Sequence, residues 1–134
     1  MSPTAAAAIR SAEHILVSPI SWWEVGMLVR DRRIELDRPL GHWIIRVMED
    51  SHSLLAALSP VAAAWAGQIP AGSFPGDPAD RLIYATARDL RVPLVTKDER
   101  LHGHANRSGS KPDSVRFCAA AAPRSFRFRW WWVV

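Results

Sequence analysis

Residues 75–99, PGDPADRLIYATARDLRVPLVTKDE, decide the fold class. Asp77 is a good N-cap, and Pro78 takes the first helical position, where a missing N–H costs nothing. Asp80 then falls at the third helical position, near the positive end of the helix dipole. Ile83, Ala87 and Leu90 recur at helical spacing and give one apolar face. Arg88 and Arg91 stand in the last turn, where cations suit the carbonyl end. Val92-Pro93-Leu94-Val95 reads as a short buried strand, followed directly by Thr96-Lys97-Asp98. In open α/β sheets, ligands gather beyond the carboxyl ends of parallel strands. Asp98 stands at such an end, and Asp80 at a helix start feeding the same neighbourhood. Two carboxylates held together repel unless a cation or a proton lies between them, a first pointer to a hard divalent metal. Each acid also has a plainer role: Asp77 and Asp80 as cap and dipole partner, Asp98 as a solvated turn residue.

The rest of the chain sets limits on this reading. At 134 residues it is one domain, long enough to bury a core, with ordinary hydrophobic (49%) and charged (22%) content. No apolar run approaches the ~20 residues that span a bilayer. The opening MSPTAAAAIRSAEH lacks the basic-then-apolar pattern of a secretory signal. A lone cysteine, Cys118, excludes an internal disulfide and fits a reducing cytoplasm. Zinc-ligand spacings and a Gly-rich phosphate loop are both missing. Residues 1–107 carry twelve basic and twelve acidic residues, so the net charge of +4 belongs to residues 108–134 and says little about the body of the domain.

Taken in order, residues 3–14 are Ala-rich and read as a short helix, and Ile15-Leu16-Val17 as a buried strand. Ser21 caps a helix over Trp22 to Val29, with Glu24 in its first turn. An ionised carboxylate among Trp22, Trp23, Val25, Met27 and Leu28 is unusual company. It marks Glu24 as either a functional acid or a dipole partner contacting Arg30 or Arg32. Asp31 to Pro39 is a charged connector, with Ile34 and Leu36 alternating like a very short extended piece. A helix follows from Leu40 to Met48 with Trp43, Ile44, Val47 and Met48 on its apolar side. Ser53 to Leu58 is a third short strand, Ser59-Pro60 starts a helix through Trp65, and Glu99 to Ala105 is a final short helix. Strands alternating with helices give an α/β fold with a parallel sheet covered on both faces. Three strands are few for such a sheet, and a central one is missing from the count.

From Ser108 the character changes. Phe126, Phe128 and Trp130 alternate with Arg127 and Arg129, and the chain closes on three tryptophans and two valines. Three readings stand side by side: a stacking and cationic surface for single-stranded nucleic acid, a strand that patches the sheet, or an atypical, poorly ordered terminus. The histidines (His14, His42, His52, His102, His104) form no catalytic pair. Trp22, Trp23, Trp43 and Trp65 belong to apolar faces, and Arg81 either steers a phosphate or pairs with Asp77.

SPISWWEVGMLV (residues 18–29) and GDPADRLIYATARDLRVPLVTKDERLHGHA (residues 76–105) resemble the PIN-domain ribonucleases, most closely the VapC-type toxins of bacterial toxin–antitoxin pairs. The resemblance spans roughly Ser2 to Ala105. It implies a three-layer α/β/α domain over residues 1–107, with residues 108–134 as a basic aromatic tail. It also implies acids at the carboxyl edge of a short parallel sheet that hold Mg²⁺ or Mn²⁺ and hydrolyse phosphodiesters in RNA, leaving a 5′ phosphate and a 3′ hydroxyl. Glu24, Asp80 and Asp98 match the family's metal-binding acids, Thr96 a hydroxyl that orders the site, and Asp77 a cap beside it. The implied partners are a cognate antitoxin and RNA, with no membrane; a homodimer and a cytoplasmic location are further expectations. The family's first strand, which ends in an "L-D-T"-like motif supplying another aspartate, and the helix after it have no counterpart ahead of Ile15. The expectation is therefore a domain truncated at its N-terminus and impaired as a magnesium-dependent ribonuclease. The alternative is a non-catalytic remnant that still binds antitoxin.

Overall fold

The computed structural model describes residue 7, residues 9–50, 53–70, 72–74 and 77–96, and the backbone of residues 117–119 and 131–133. Residues 9–11 are helical, in the Ala-rich segment where a helix is expected. The chain then runs β1 (Ile15–Val17), α1 (Pro19–Arg30), α2 (Leu40–Asp50), β2 (Ser53–Leu55), α3 (Pro60–Gln68), α4 (Pro78–Leu90), β3 (Leu94–Thr96), β4 (Phe117–Ala119) and β5 (Trp131–Val133). This is the three-layer α/β/α arrangement that the alternation of strand and helix requires.

Three helices start alike: a polar cap, then proline at the first helical position. Ser18, Ser59 and Asp77 hold extended backbone and accept hydrogen bonds from the N–H groups of Ile20, Ala62 and Asp80. α1 therefore begins at Pro19, capped by Ser18, and not at Trp22 behind Ser21. Both serines are chemically able, but only Ser18 is followed at once by a proline, whose fixed φ is already helical. The starts at Pro60 and Pro78 fall where the sequence places them. Between α1 and α2 the chain makes turns and bends, and Ile34 and Leu36 are not in a strand.

The sheet has the order β2-β1-β5-β3-β4. β1 lies parallel to β2 with Leu16 opposite Leu54, and β3 lies parallel to β4 with Val95 opposite Cys118. Between these two parallel pairs sits β5, antiparallel to both, with Val133 level with Leu16 and Leu94. The central strand missing from the sequence reading is supplied by the end of the chain, and the sheet is mixed as a result. The strand lies at Trp131–Val133; the alternating segment 126–130, the helix expected over 99–105 and the rest of the tail lie outside the described residues.

One core forms where α4 covers the sheet. Ala56, Phe74, Ile83, Ala87 and Leu94 are buried together, with Leu16, Ile20, Ile69, Tyr84 and Val92 packed around them. α3 meets α4 along a seam of small residues, Ala62 and Ala66 against Ala85, which lets the two helix backbones approach closely. Both ends of this antiparallel pair are tied. Ser59 Oγ donates to Asp89 Oδ2 at 2.6 Å, and Arg81 Nη1 donates weakly to the Ile69 carbonyl at 3.4 Å. Tyr84 lies between Trp65 and Phe74, with ring centroids 5.8 and 5.3 Å away. Trp22 and Trp43 join α1 to α2 edge to face at 6.4 Å. Trp23 lies outside the core and is 57% exposed.

Candidate active site

α4 and β3 form a helix–strand hairpin, so the first turn of α4 returns to the end of β3. α4 runs about 18 Å from Pro78 to Leu90, turns through Arg91, and the chain comes back as β3. Asp80, in the first helical turn, thus comes to the carboxyl edge of the sheet, where β3 ends at Thr96. α1 springs from the same edge, because β1 ends at Val17 and Ser18 caps the helix immediately. α1 also packs against α4. Chain direction alone therefore gathers the starts of two helices and the ends of two strands.

Asp80 is held firmly. Asp77 Oδ1 accepts the Asp80 N–H at 3.0 Å, and Asp80 Oδ2 accepts the Asp77 N–H at 2.9 Å, a reciprocal capping box. Two backbone donors of the helix start are satisfied, and the Asp80 carboxylate is fixed in direction. Asp80 has no solvent exposure, and its second oxygen, Oδ1, is also buried. Burial disfavours a carboxylate's charge, while the helix dipole and the N–H donor favour it. Asp77 is exposed and serves as the cap, the role expected for it.

Glu24 lies in the second turn of α1, one turn later than the sequence reading placed it, because the helix starts three residues earlier. It is half-buried and its Oε2 is fully buried, next to Val25 of the core. Thr96, the last residue of β3, is 1% exposed, and Ser18, at the end of β1, is 0% exposed. Ser18 adds a buried hydroxyl at the same edge; a Ser-Pro pair directly after a strand is the sequence signal for it. Asp98, two residues past Thr96, lies outside the described residues. Among the described residues, no three His, Cys, Asp or Glu side chains converge to hold a metal ion.

The remaining candidates lie elsewhere. Arg81 turns toward the α3 end of the hairpin and reaches the Ile69 carbonyl. His14 and His42 are exposed, and His42 lines a groove with Asp37, Arg38, Ile45 and Arg46 on the α2 side. His52, His102 and His104 lie outside the described residues. Among the described residues, no helix is long and apolar enough to cross a membrane.

Comparison with known proteins identifies the family. The sequence profile of the PIN domain family fits residues 2–106. Ribonuclease VapC22 of Mycobacterium tuberculosis is 44% identical over 104 residues, covering 78% of this chain and 78% of that protein. No solved structure gives a significant match.

Proposed function

This chain belongs to the PIN-domain family of VapC-type ribonucleases, and from that premise we propose that it is a metal-dependent endoribonuclease toxin hydrolysing RNA phosphodiester bonds. The observation that carries the reading is the Asp80 carboxylate, wholly buried at the start of α4 and held in place by its capping box. A buried acid there serves little purpose as a cap alone, since an exposed side chain does that work equally well. Glu24, Asp80 and Asp98 hold the ion, and Thr96 orders the site.

The donors suit a hard cation. They are carboxylate and hydroxyl oxygens with no thiolate or imidazole among them, the set that selects Mg²⁺ or Mn²⁺ over zinc or copper. A buried carboxylate oxygen is stabilised by a positive charge placed against it. When bound, such an ion lowers the pKa of water and steadies the charge that builds on the phosphate. The chain's part is to position. The capping box prevents Asp80 from rotating away, and the core beneath it (Ile83, Leu94) keeps the helix start at a fixed height above β3. Long helical side chains lean toward the N-terminus, which returns Glu24 from the second turn of α1 toward the same edge.

The protein partner is a cognate antitoxin that silences the enzyme in the cytoplasm. Trp23, Ile45, Leu54 and Leu55 leave apolar surface exposed on and around α1, α2 and β2 for such a partner.

The test is RNA cleavage with Mg²⁺ or Mn²⁺, combined with titration of each ion by calorimetry. Asp80→Asn keeps an oxygen to accept the Asp77 N–H and so leaves the helix start intact, yet it removes the charge. Cleavage should fall by at least ~100-fold and ion binding should weaken, with the unfolding midpoint little changed. Glu24→Gln and Asp98→Asn should behave alike. Cleavage that survives all three changes would sink the assignment.

A further inference from the structure

α1 and α3 both begin on a serine followed by proline, and the two serines use their hydroxyls differently. Ser18 and Ser59 each hold extended backbone and each accept a backbone N–H, from Ile20 at 3.2 Å and from Ala62 at 3.0 Å. A hydroxyl also has one proton to give. Ser59 gives its proton to a carboxylate of the neighbouring helix, Asp89 Oδ2, at 2.6 Å. Ser18 gives its proton to no acceptor among the described residues. Yet Ser18 is the more buried of the two, with 0% exposure against a partly exposed Ser59. A hydroxyl shut away from water is costly to leave with its proton unused.

The place of Ser18 in the fold says where that proton is wanted. β1 ends at Val17, so Ser18 stands at the carboxyl edge of the sheet, the edge at which β3 ends in Thr96. Val133 lies level with both Leu16 and Leu94, and Trp131 lies level with Thr96. Two residues beyond Leu16, Ser18 falls in the row of Trp131 and Thr96. Two buried hydroxyls therefore flank β5 two strand spacings apart, about 10 Å. Acids gather on the helices that start here: Asp80, wholly buried on α4, and Glu24, its Oε2 buried on α1, with the two helices in contact. A hydrogen bond to a carboxylate is roughly twice as strong as one between neutral groups. A neutral donor also fixes a carboxylate without cancelling the charge that a cation needs, whereas a lysine or arginine in its place would compete with the ion.

We propose, resting on the nuclease assignment, that Ser18 is a positioning residue of the ion site: the Ile20 N–H fixes its oxygen, and its proton goes to a carboxylate oxygen that holds the divalent ion. The test is the affinity of the full chain for Mn²⁺ by calorimetry, with urea unfolding beside it. Ser18→Gly deletes the hydroxyl but keeps the helix start, because glycine caps a helix only slightly less well than serine. It should raise the Mn²⁺ dissociation constant by at least about tenfold, with the unfolding midpoint little changed. Ser59→Gly makes the same change at the same kind of helix start, beside Asp89 and about 14 Å along α4 from Asp80. It should leave Mn²⁺ affinity within about twofold of wild type. Ser18→Thr returns both the acceptor and the proton and should recover most of the lost affinity. Equal weakening in the two glycine variants would make Ser18 a helix cap and nothing more. A Ser18→Gly protein that binds Mn²⁺ as tightly as wild type overturns the proposal and leaves the nuclease assignment standing, whereas a wild-type chain that binds no Mn²⁺ overturns both.

Discussion

α4 and α2 start from the same kind of pattern, an apolar stripe down one side of an amphipathic helix, and reach different surroundings. α4 buries Asp80, Ile83, Ala85, Thr86 and Ala87. Among the described residues, none belonging to α2 is buried, and Ile45 stands 55% exposed on its surface. The difference lies in what each helix is packed against. α4 is covered twice, by α3 along the alanine seam and by Leu16 and Leu94 of the sheet. α2 rests on β2, a three-residue edge strand, and on Trp22 of α1. Periodicity tells which side of a helix is apolar; the rest of the chain decides whether that side is covered.

The largest effect should come from cutting into the doubly covered side. Ile83→Ala removes a side chain with no solvent exposure from the centre of the core, a change that costs about 2–5 kcal/mol. Ile44→Ala, on the apolar side of α2 and only half-buried, should cost about 1 kcal/mol or less, since the surface it loses was already partly wet. Urea unfolding of the two variants measures the contrast directly. Equal losses would mean that α2 is covered as well as α4, and the comparison would fail.

A smaller effect is expected at the start of α4. Asp77→Ala deletes one half of the capping box and should cost about 1 kcal/mol in the same measurement. Asp77→Asn, which keeps the acceptor, should cost little. The value of this pair is that it separates the cap from the proposed ion site: loss of the cap loosens the turn that aims Asp80, so cleavage should fall with Asp77→Ala and hold with Asp77→Asn.

How much of this was legible in the sequence varies from one element to the next. The start of α4 was legible, because a capping Asp77, Pro78 at the first helical position and an acid at the third all favour a helix start there. The start of α1 was misplaced by three residues, because Ser18 and Ser21 compete as caps and the hydrophobic pattern is indifferent to the choice. Helix ends were harder. Arg32 and Arg91 both adopt left-handed backbone, with φ of 52° and 56°. In each case the last carbonyls take up the N–H groups of the residues just beyond: Arg32 to Val29 and Arg33 to Leu28, Arg91 to Arg88 and Val92 to Ala87. This is the closure that glycine usually makes, and arginine carries no signal for it. Strand order was least legible. Three-residue strands show an extended backbone but not a partner, and nothing in Trp131–Val133 states that it enters the sheet between β1 and β3.

The smallest effect should appear at high pH, and it too distinguishes the two helices. Tyr84 sits on α4 against Trp65 and Phe74, and burial raises its phenol above the ordinary 10.0, with Arg88 nearby pulling the other way. The folded protein therefore holds the phenolic proton more tightly than the unfolded chain does. That preference contributes its full stability below pH 10 and loses it as the pH climbs through the folded value. The charges along α2 are Arg46, Glu49 and Asp50, more than half exposed and paired at 3.7 and 3.2 Å, an arrangement worth little in water. Breaking both pairs with Arg46→Ala should leave the pH profile of the urea midpoint unchanged in shape. Tyr84→Phe, by contrast, should flatten its decline above pH 10. A decline that keeps its full steepness in Tyr84→Phe would show that the phenol is as well hydrated in the folded protein as in the unfolded chain, and that the cover over this part of α4 is thinner than the ring packing indicates.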